Sequence, residues 1–514
     1  MIEDNLNKNY MVEENLKKVL RYIEDNIRVS EQTSIEYLDS NGLIERLTTK
    51  QNHIIFGRRG SGKSLLLKSL RGNEKFTCIN VNLEDFKDIS FPNSILQVQK
   101  SIIKQLLPIV KQRYKKISLK YCTETIPLCK KLQNQIKNLD LQISSPDDYD
   151  KSISEKQTGK ISAKIKMASG LKDGEIGAEG SRETETSKRI KIDKLDILKN
   201  DLPNIKDLFT QVSIHIEKDI LLILDDFYFI KKDEQPYFLD YFHRMAKNVP
   251  LYLKVATIQH RSKLYVQDES YIGMELQHDA LPIYLDYGLQ DFDKLVAFMR
   301  QLLLHINDKV GVKIDYKTLI TDSAFRFLCL ASGGVPRDFF SLLIALEPLF
   351  NRGKSITKPN VIDKSIENMQ SKMDSMKKDA ADEGFLLEQY LNIIKNEIIE
   401  TKKWNAFLLS NSEVKKFPQI NQAIKELVDL RFIHLVEQNT SASSSDGTRY
   451  SAYMMDIGLF PNSNPRKFQQ VEPGQMDDRY RKDKIRSAPK LNLQVIYAQI
   501  ESFNLKNSLE ITHE

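Results

Sequence analysis

The chain has 514 residues, 59.5 kDa and 41% hydrophobic side chains, enough for roughly two to four domains that each bury a core. Its first twenty residues, "MIEDNLNKNYMVEENLKKVL", are charged from the third onward, and no later run approaches the ~20 apolar residues of a membrane span. A signal peptide and a membrane partner are therefore not expected, and the cytoplasm is. A net charge of +6 is too mild to argue for nucleic acid by itself, and Cys78, Cys122, Cys129 and Cys329 have neither metal-ligand spacing nor disulfide density, so they read as reduced and structural.

Residues 1–30 read as an N-terminal helix. The stretch "HIIFGRRGSGKSLLLKSL", His53 to Leu70, then gives a short buried strand, a glycine-rich turn and the start of a helix with leucines on one face. GxxxxGK[ST] is met by Gly57, Gly62, Lys63 and Ser64, with Gly60 and Ser61 inside the turn. Backbone N–H groups of such a turn converge on phosphate oxygens. Lys63 would bridge the β and γ phosphates, and the Ser64 hydroxyl would ligate Mg²⁺.

"TCINVNLEDF" reads as a second strand, followed by a basic helix from Asn93 to about Lys120, with a bend possible in principle at Pro108. Lys100, Lys104, Lys111, Arg113, Lys115, Lys116 and Lys120 have no acid among them, so this stripe can follow a phosphate backbone or form a solvated helix face. About 160 residues separate Ser64 from Asp225, more than a minimal nucleotide domain needs, which marks residues 120–195 as an insertion. Its "KISAKIKMASGLKDGEIGAEG" alternates around Asp173-Gly174, the pattern of a protruding β-hairpin; a flexible linker is the alternative.

"DKLDILKNDLPNIKDLFTQVSIHI" returns to helix, and "DILLILDD" is a buried strand ending in acid. At that edge Asp225 is the candidate Mg²⁺ partner and Asp226 the candidate for polarising an attacking water. The next strand, "PLYLKVATIQHRS", brings Thr257, Gln259 and Arg261 as water-orienting or phosphate-sensing candidates. "ASGGVPRDFF" starts a helix with Pro336 and Arg337, candidates for packing on a base and reaching phosphates.

These motifs, in this order, resemble the AAA+ and STAND branches of the P-loop ATPases, nearest to origin-recognition (initiator-type) ATPases. "GRRGSGKS" resembles Walker A, "LLILDD" Walker B, "KVATIQHRS" the sensor 1 strand and "GGVPRDF" the sensor 2 or GxP element of a helical lid. The resemblance implies an α/β P-loop NTPase with a parallel sheet, core 31–290, a helical lid over 291–376, and ATP with Mg²⁺ as cofactors. Where fast AAA+ enzymes carry glutamate this chain has Asp226, which implies slow, regulatory hydrolysis. No convincing arginine finger is found; Arg244 in "YFHRMAKNVP" is only a plausible position for one.

"MQSKMDSMKKDAADEG" reads as a helix end and linker with incidental methionines, and residues 377–460 as a winged helix. Its second helix, "FPQINQAIKELVDL", and the residues before it offer Lys415, Lys416, Gln419, Asn421, Gln422 and Lys425 to DNA; a protein-packing role for the same fold is the alternative. The tail, 461–514, is basic and expected to be irregular. Together these readings imply an ATPase that oligomerises with itself and binds duplex DNA. The alternative, which draws on "LLILDD" and the GxP element, is a STAND-type signalling switch of the kind used in defence against phage, binding an effector protein rather than DNA.

Overall fold

The computed structural model describes residues 2–28, 33–145, 194–267, 271–350, 355–379, 381–461, 466–480 and 483–511. The expected hairpin around Asp173-Gly174 lies outside them. Two compact units divide the chain: Asp39–Gly57 with Lys63–Tyr284, and Met1–Leu38 with Arg58–Gly62 and Leu285–Glu514.

The first unit is mixed α/β. Its strands β1 (His53–Phe56), β2 (Phe76–Asn82), β3 (Asp219–Asp225), β4 (Leu251–Thr257) and β7 (Leu281–Tyr284) form one parallel sheet in the order β2-β3-β4-β1-β7. The inner strand β3 is apolar almost throughout because both its faces are covered, whereas the edge strand β2 mixes buried and half-buried residues. Ile220, Leu222 and Leu224 of β3 face a cluster formed with α3 (Asn93–Gln112), α4 (Ile126–Ser144), α5 (Lys194–Ile216) and α6 (Gln235–Ala246), while Leu221 and Ile223 are buried on the other side. The helix after the glycine turn, α2 (Lys63–Ser69), also packs on β3. Helix α4 adds a second helix to the insertion that the sequence reading left unassigned. Between β4 and β7 a small hairpin, β5 (Tyr265–Gln267) with β6 (Tyr271–Gly273), packs on α6.

A buried lysine interrupts the apolar core of the sheet. Lys254, opposite His53 in the β1–β4 register, is fully buried. Its ammonium donates to the carbonyls of Thr49 at 3.2 Å and Gln51 at 2.5 Å and to His53 Nδ1 at 3.0 Å. Burial draws the Lys254 ammonium down to about 7.

The second unit is built on one hydrophobic core. Leu16, Val19, Leu20 and Ile23 of α1 (Ile2–Asn26) join α7 (Phe292–Val310), α8 (Asp322–Ala331), α9 (Pro336–Ala345), α10 (Lys358–Asp379), α11 (Ala381–Lys395) and α12 (Pro418–Asp429). The stretch expected to be a linker is helical: α10 continues to Asp379, and its Met369 and Met376 are buried in that core rather than incidental. Strands β8 (Ala406–Ser410), β9 (Ile433–Ser441) and β10 (Arg449–Met455) form an antiparallel sheet in the order β8-β10-β9, so α11 and α12 alternate with strands as helix, strand, helix, hairpin.

The tail departs most from expectation. Its described residues end in α13 (Leu493–Ile511), with Leu493, Ile496 and Ile500 buried. Ahead of α13 the tail lies along the outer edge of β8: Leu408 N–H donates to Pro489 O at 2.8 Å and Leu491 N–H to Leu408 O at 2.9 Å. Asn405 fastens the same strap through both ends of its amide, donating to Val471 O and accepting from Val471 N–H, each at 3.0 Å. An edge strand is thereby paired instead of left open. The basic character read from the sequence is partly spent inside the unit, since Arg486 Nε donates to Ser441 O at 2.9 Å.

Candidate functional site

In the α/β unit the site grows from the C-terminal edge of the parallel sheet, the place where such sheets bind ligands. Gly57 leaves β1 with its N–H on Thr257 O at 3.1 Å, so the loop begins tied to β4. Lys63, at the first turn of α2, is buried, and its ammonium donates to Gly57 O at 2.7 Å. The next residue, Ser64, is hydrogen-bonded to the buried carboxyl of Asp225. Burial raises the Asp225 carboxyl above the ordinary range, while the Ser64 hydroxyl, the Lys63 charge and the Asp226 N–H oppose that rise.

Asp226 turns the chain sharply. Its φ of 55° is left-handed, a conformation that aspartate tolerates better than most side chains, and its N–H donates to Asp225 Oδ1 at 2.9 Å. The third strand delivers its candidates unequally. Thr257 is fully buried and its hydroxyl is bonded to Ser262, a partner that sequence reading missed. Gln259 is exposed in the short turn Gln259–Arg261, and the Arg261 carbonyl accepts from Gln235 Nε2 at 3.2 Å. Arg244, the one candidate for an arginine finger, is half exposed and paired with Asp240 at 3.0 Å.

The remaining loop residues belong to the second unit. Gly60, at φ 89°, lies so close to the start of α9 that a Cβ there would stand 2.8 Å from Arg337 Cβ and 3.0 Å from Val335 Cγ1. Arg337 N–H reaches Gly60 O at 3.4 Å, so Gly60, Pro336 and Arg337, distant in sequence, are brought together. Ser61 Oγ is buried without a hydrogen-bond partner, an orphaned donor that suits a phosphate oxygen. Burial lowers the Arg337 guanidinium from its ordinary value, helped by the nearby charges of Arg59, Arg431 and Arg28 and opposed by Asp338. Arg337 thus has three further arginines and one carboxylate, Asp338, acting on its charge, a cationic setting suited to a polyanion.

Several residues of this cluster carry no motif and escaped sequence reading. Asp286 accepts the Arg58 N–H at 3.0 Å, and Arg58 Nη2 donates to Gly333 O at 2.7 Å. Arg431, itself at φ 66°, donates through Nη1 to Asp338 Oδ1 at 2.7 Å and to Arg59 O at 3.5 Å. His434 is buried against Gly333, with Nε2 3.1 Å from Asp456 Oδ2; Asp456 also accepts from Lys372 at 2.8 Å. Burial lowers the His434 imidazole.

Each unit by itself carries donors suited to phosphate: Lys63 and Ser64 at the sheet edge of the first, and the orphaned Ser61 hydroxyl and the arginines around Arg337 in the second. Among the described residues no group of three His, Cys, Asp or Glu could hold a metal, so a hard cation would rest on Ser64 and Asp225 and take its other ligands from phosphate and water.

The DNA candidates are spread over both units. On α3 Lys104 and Lys111 are exposed, but Lys100 pairs with Asp140 and Arg113 with Glu217. Lys115 and Lys116 are exposed beyond the helix end. In the second unit Lys415 joins Arg449, Asn411, Ser412 and Thr448 around an open concavity of about 380 Å³. Lys416 is exposed beside it, Lys425 is half-buried, and Gln422 is occupied by Glu426 at 2.5 Å.

No known family model matches the chain, and no curated protein matches it. Among solved structures it is similar to the Orc1 protein of Aeropyrum pernix in complex with DNA, at 10% identity and a TM-score of 0.30, covering 86% of this chain and 90% of that one. A TM-score of 0.30 is too low to carry fold or function from one protein to the other.

Proposed function

We propose that this chain is an ATP-binding AAA+ ATPase of initiator type, in which ATP with Mg²⁺ governs self-association and the binding of duplex DNA. The observation that carries the nucleotide reading is the pair of contacts at the sheet edge: Lys63 on Gly57 O at 2.7 Å and Ser64 on Asp225. They hold the two phosphate-loop side chains in place before ligand arrives, which favours binding. The strand order β2-β3-β4-β1-β7, with the loop leaving the strand next to β4, supports the same reading.

In this reading Lys63 binds the β and γ phosphates, Ser64 and Asp225 hold Mg²⁺, Arg337 meets phosphate from the lid, and Asp226 orients water. The short arm of Asp226 makes hydrolysis slow and regulatory. The helix–strand–helix–hairpin order from α11 to β10 supports a winged-helix module, with Lys415, Lys416, Gln422 and Lys425 facing DNA and Lys104 and Lys111 as further phosphate contacts. A fluorescent ATP analogue, with duplex DNA retention measured over a salt series, tests this. Lys63→Ala should lose ATP binding by about two orders of magnitude or more and with it ATP-dependent DNA retention. DNA retention indifferent to ATP would sink the coupled reading.

A second reading, a STAND-type switch that engages an effector protein, is favoured by one contact. Arg431, from the turn before β9, holds both Asp338 of α9 and the backbone of Arg59 in the glycine loop. A module that grips the loop in this way would restrain it until nucleotide exchange. Arg431→Ala should then raise the fraction of oligomer formed with ADP, read by sedimentation velocity; unchanged mass argues against the switch.

A further inference from the structure

The turn joining α3 to α4 carries two of the most exposed large hydrophobic side chains among the described residues, Ile117 at 99% and Leu119 at 79% exposure. They do not belong to a loose segment. Ser118 N–H donates to Lys115 O at 2.9 Å and Tyr121 N–H to Ser118 O at 3.1 Å, which closes the turn. Tyr114 anchors its base, edge-on to the buried His215 of α5, with Arg113 and Lys120 over its ring at 5.5 Å and 5.4 Å. Lys115, Lys116 and Lys120, all exposed, flank the two aliphatics along the chain; Glu217 is paired with Arg113 at the base of the turn, and Glu124 lies beyond Lys120.

We propose that this turn is a peripheral docking element for an anionic lipid surface, with Ile117 and Leu119 entering the acyl boundary and the lysines meeting headgroup phosphates. Neither half suffices alone, since a small apolar insertion or a short basic cluster holds only marginally, whereas the two together anchor. Tyrosine behind an apolar tip matches the layering of a membrane interface. Other partners fit less well. Lysine is depleted from the centre of protein interfaces, and aliphatic side chains cannot stack on bases as aromatic ones do. The inference is independent of the nucleotide reading, and it assigns to lipid the lysines Lys115, Lys116 and Lys120 that the sequence also offered to DNA.

The test is co-sedimentation of the full chain with phosphatidylcholine vesicles, with and without phosphatidylserine. Binding is expected only with phosphatidylserine, weakening as salt rises. Ile117→Asp/Leu119→Asp and Lys115→Gln/Lys116→Gln should each weaken it about tenfold or more, with ATP-analogue binding unchanged. All four positions are exposed, so the fold should tolerate these changes. Absence of binding to phosphatidylserine vesicles overturns the proposal, as does equal retention of the aspartate variant. Loss of duplex DNA affinity in that variant without vesicle binding also overturns it and assigns the tip to nucleic acid.

Discussion

Replacing Gly60 with alanine tests how closely the lid helix is seated on the glycine loop. The new Cβ would carry two costs. At φ 89° a left-handed alanine costs on the order of 1–2 kcal/mol. In addition it would sit 2.8 Å from Arg337 Cβ, an atom fixed by the start of α9 that cannot swing aside like the end of a long side chain. Such overpacking costs roughly 1–3 kcal/mol more. Gly62 is the internal control: its φ of 95° incurs a similar backbone cost, but its nearest neighbour, Tyr37 Cε2, would lie 3.7 Å away in ordinary contact. Urea unfolding of Gly60→Ala and Gly62→Ala should therefore separate by about 1–3 kcal/mol, the clash alone. ATP affinity should fall further in Gly60→Ala, by at least about tenfold relative to Gly62→Ala. If the two variants unfold at the same midpoint and bind ATP alike, the seating of α9 on the loop is refuted.

Two further outcomes follow from buried polar groups. Lys254 has a folded value of about 7, below the unfolded range, so the unfolded chain binds more protons above pH 7 and wild-type stability should rise with pH between about 7 and 10, by up to ~1.4 kcal/mol per unit; Lys254→Met should flatten that rise in denaturant titrations. Asn405→Ala strands Val471 N–H and Val471 O and should cost on the order of 1–3 kcal/mol by thermal unfolding; no loss would mean that the strap is held without that amide.

Much of the α/β unit was legible because its elements announce themselves locally. "HIIF" and "DILLILD" are strands because buried parallel strands are continuous apolar runs, and the glycine turn between strand and helix has a chemistry visible in eight letters. What escaped reading depends on the whole chain. The contact of Arg431 with Arg59 O and Asp338, and of His434 with Gly333, joins segments far apart in sequence, and nothing in "LRFIHLVEQ" marks either residue as more than a turn and a strand. Met369 and Met376 looked incidental because a mostly polar helix such as α10 hides its buried stripe. The tail looked irregular because a strap that pairs with an edge by backbone has no side-chain period.

That strap has a consequence for synthesis. β8 leaves the ribosome well before the residues that pair with it, Pro489 and Leu491, so the nascent sheet passes through a stage with a bare edge, the kind of surface that recruits other strands. A chain cut after Phe460 would be left at that stage permanently. Holdase chaperones would be expected to linger on such a fragment, and a truncation intended to preserve this module must keep the strap through Leu491.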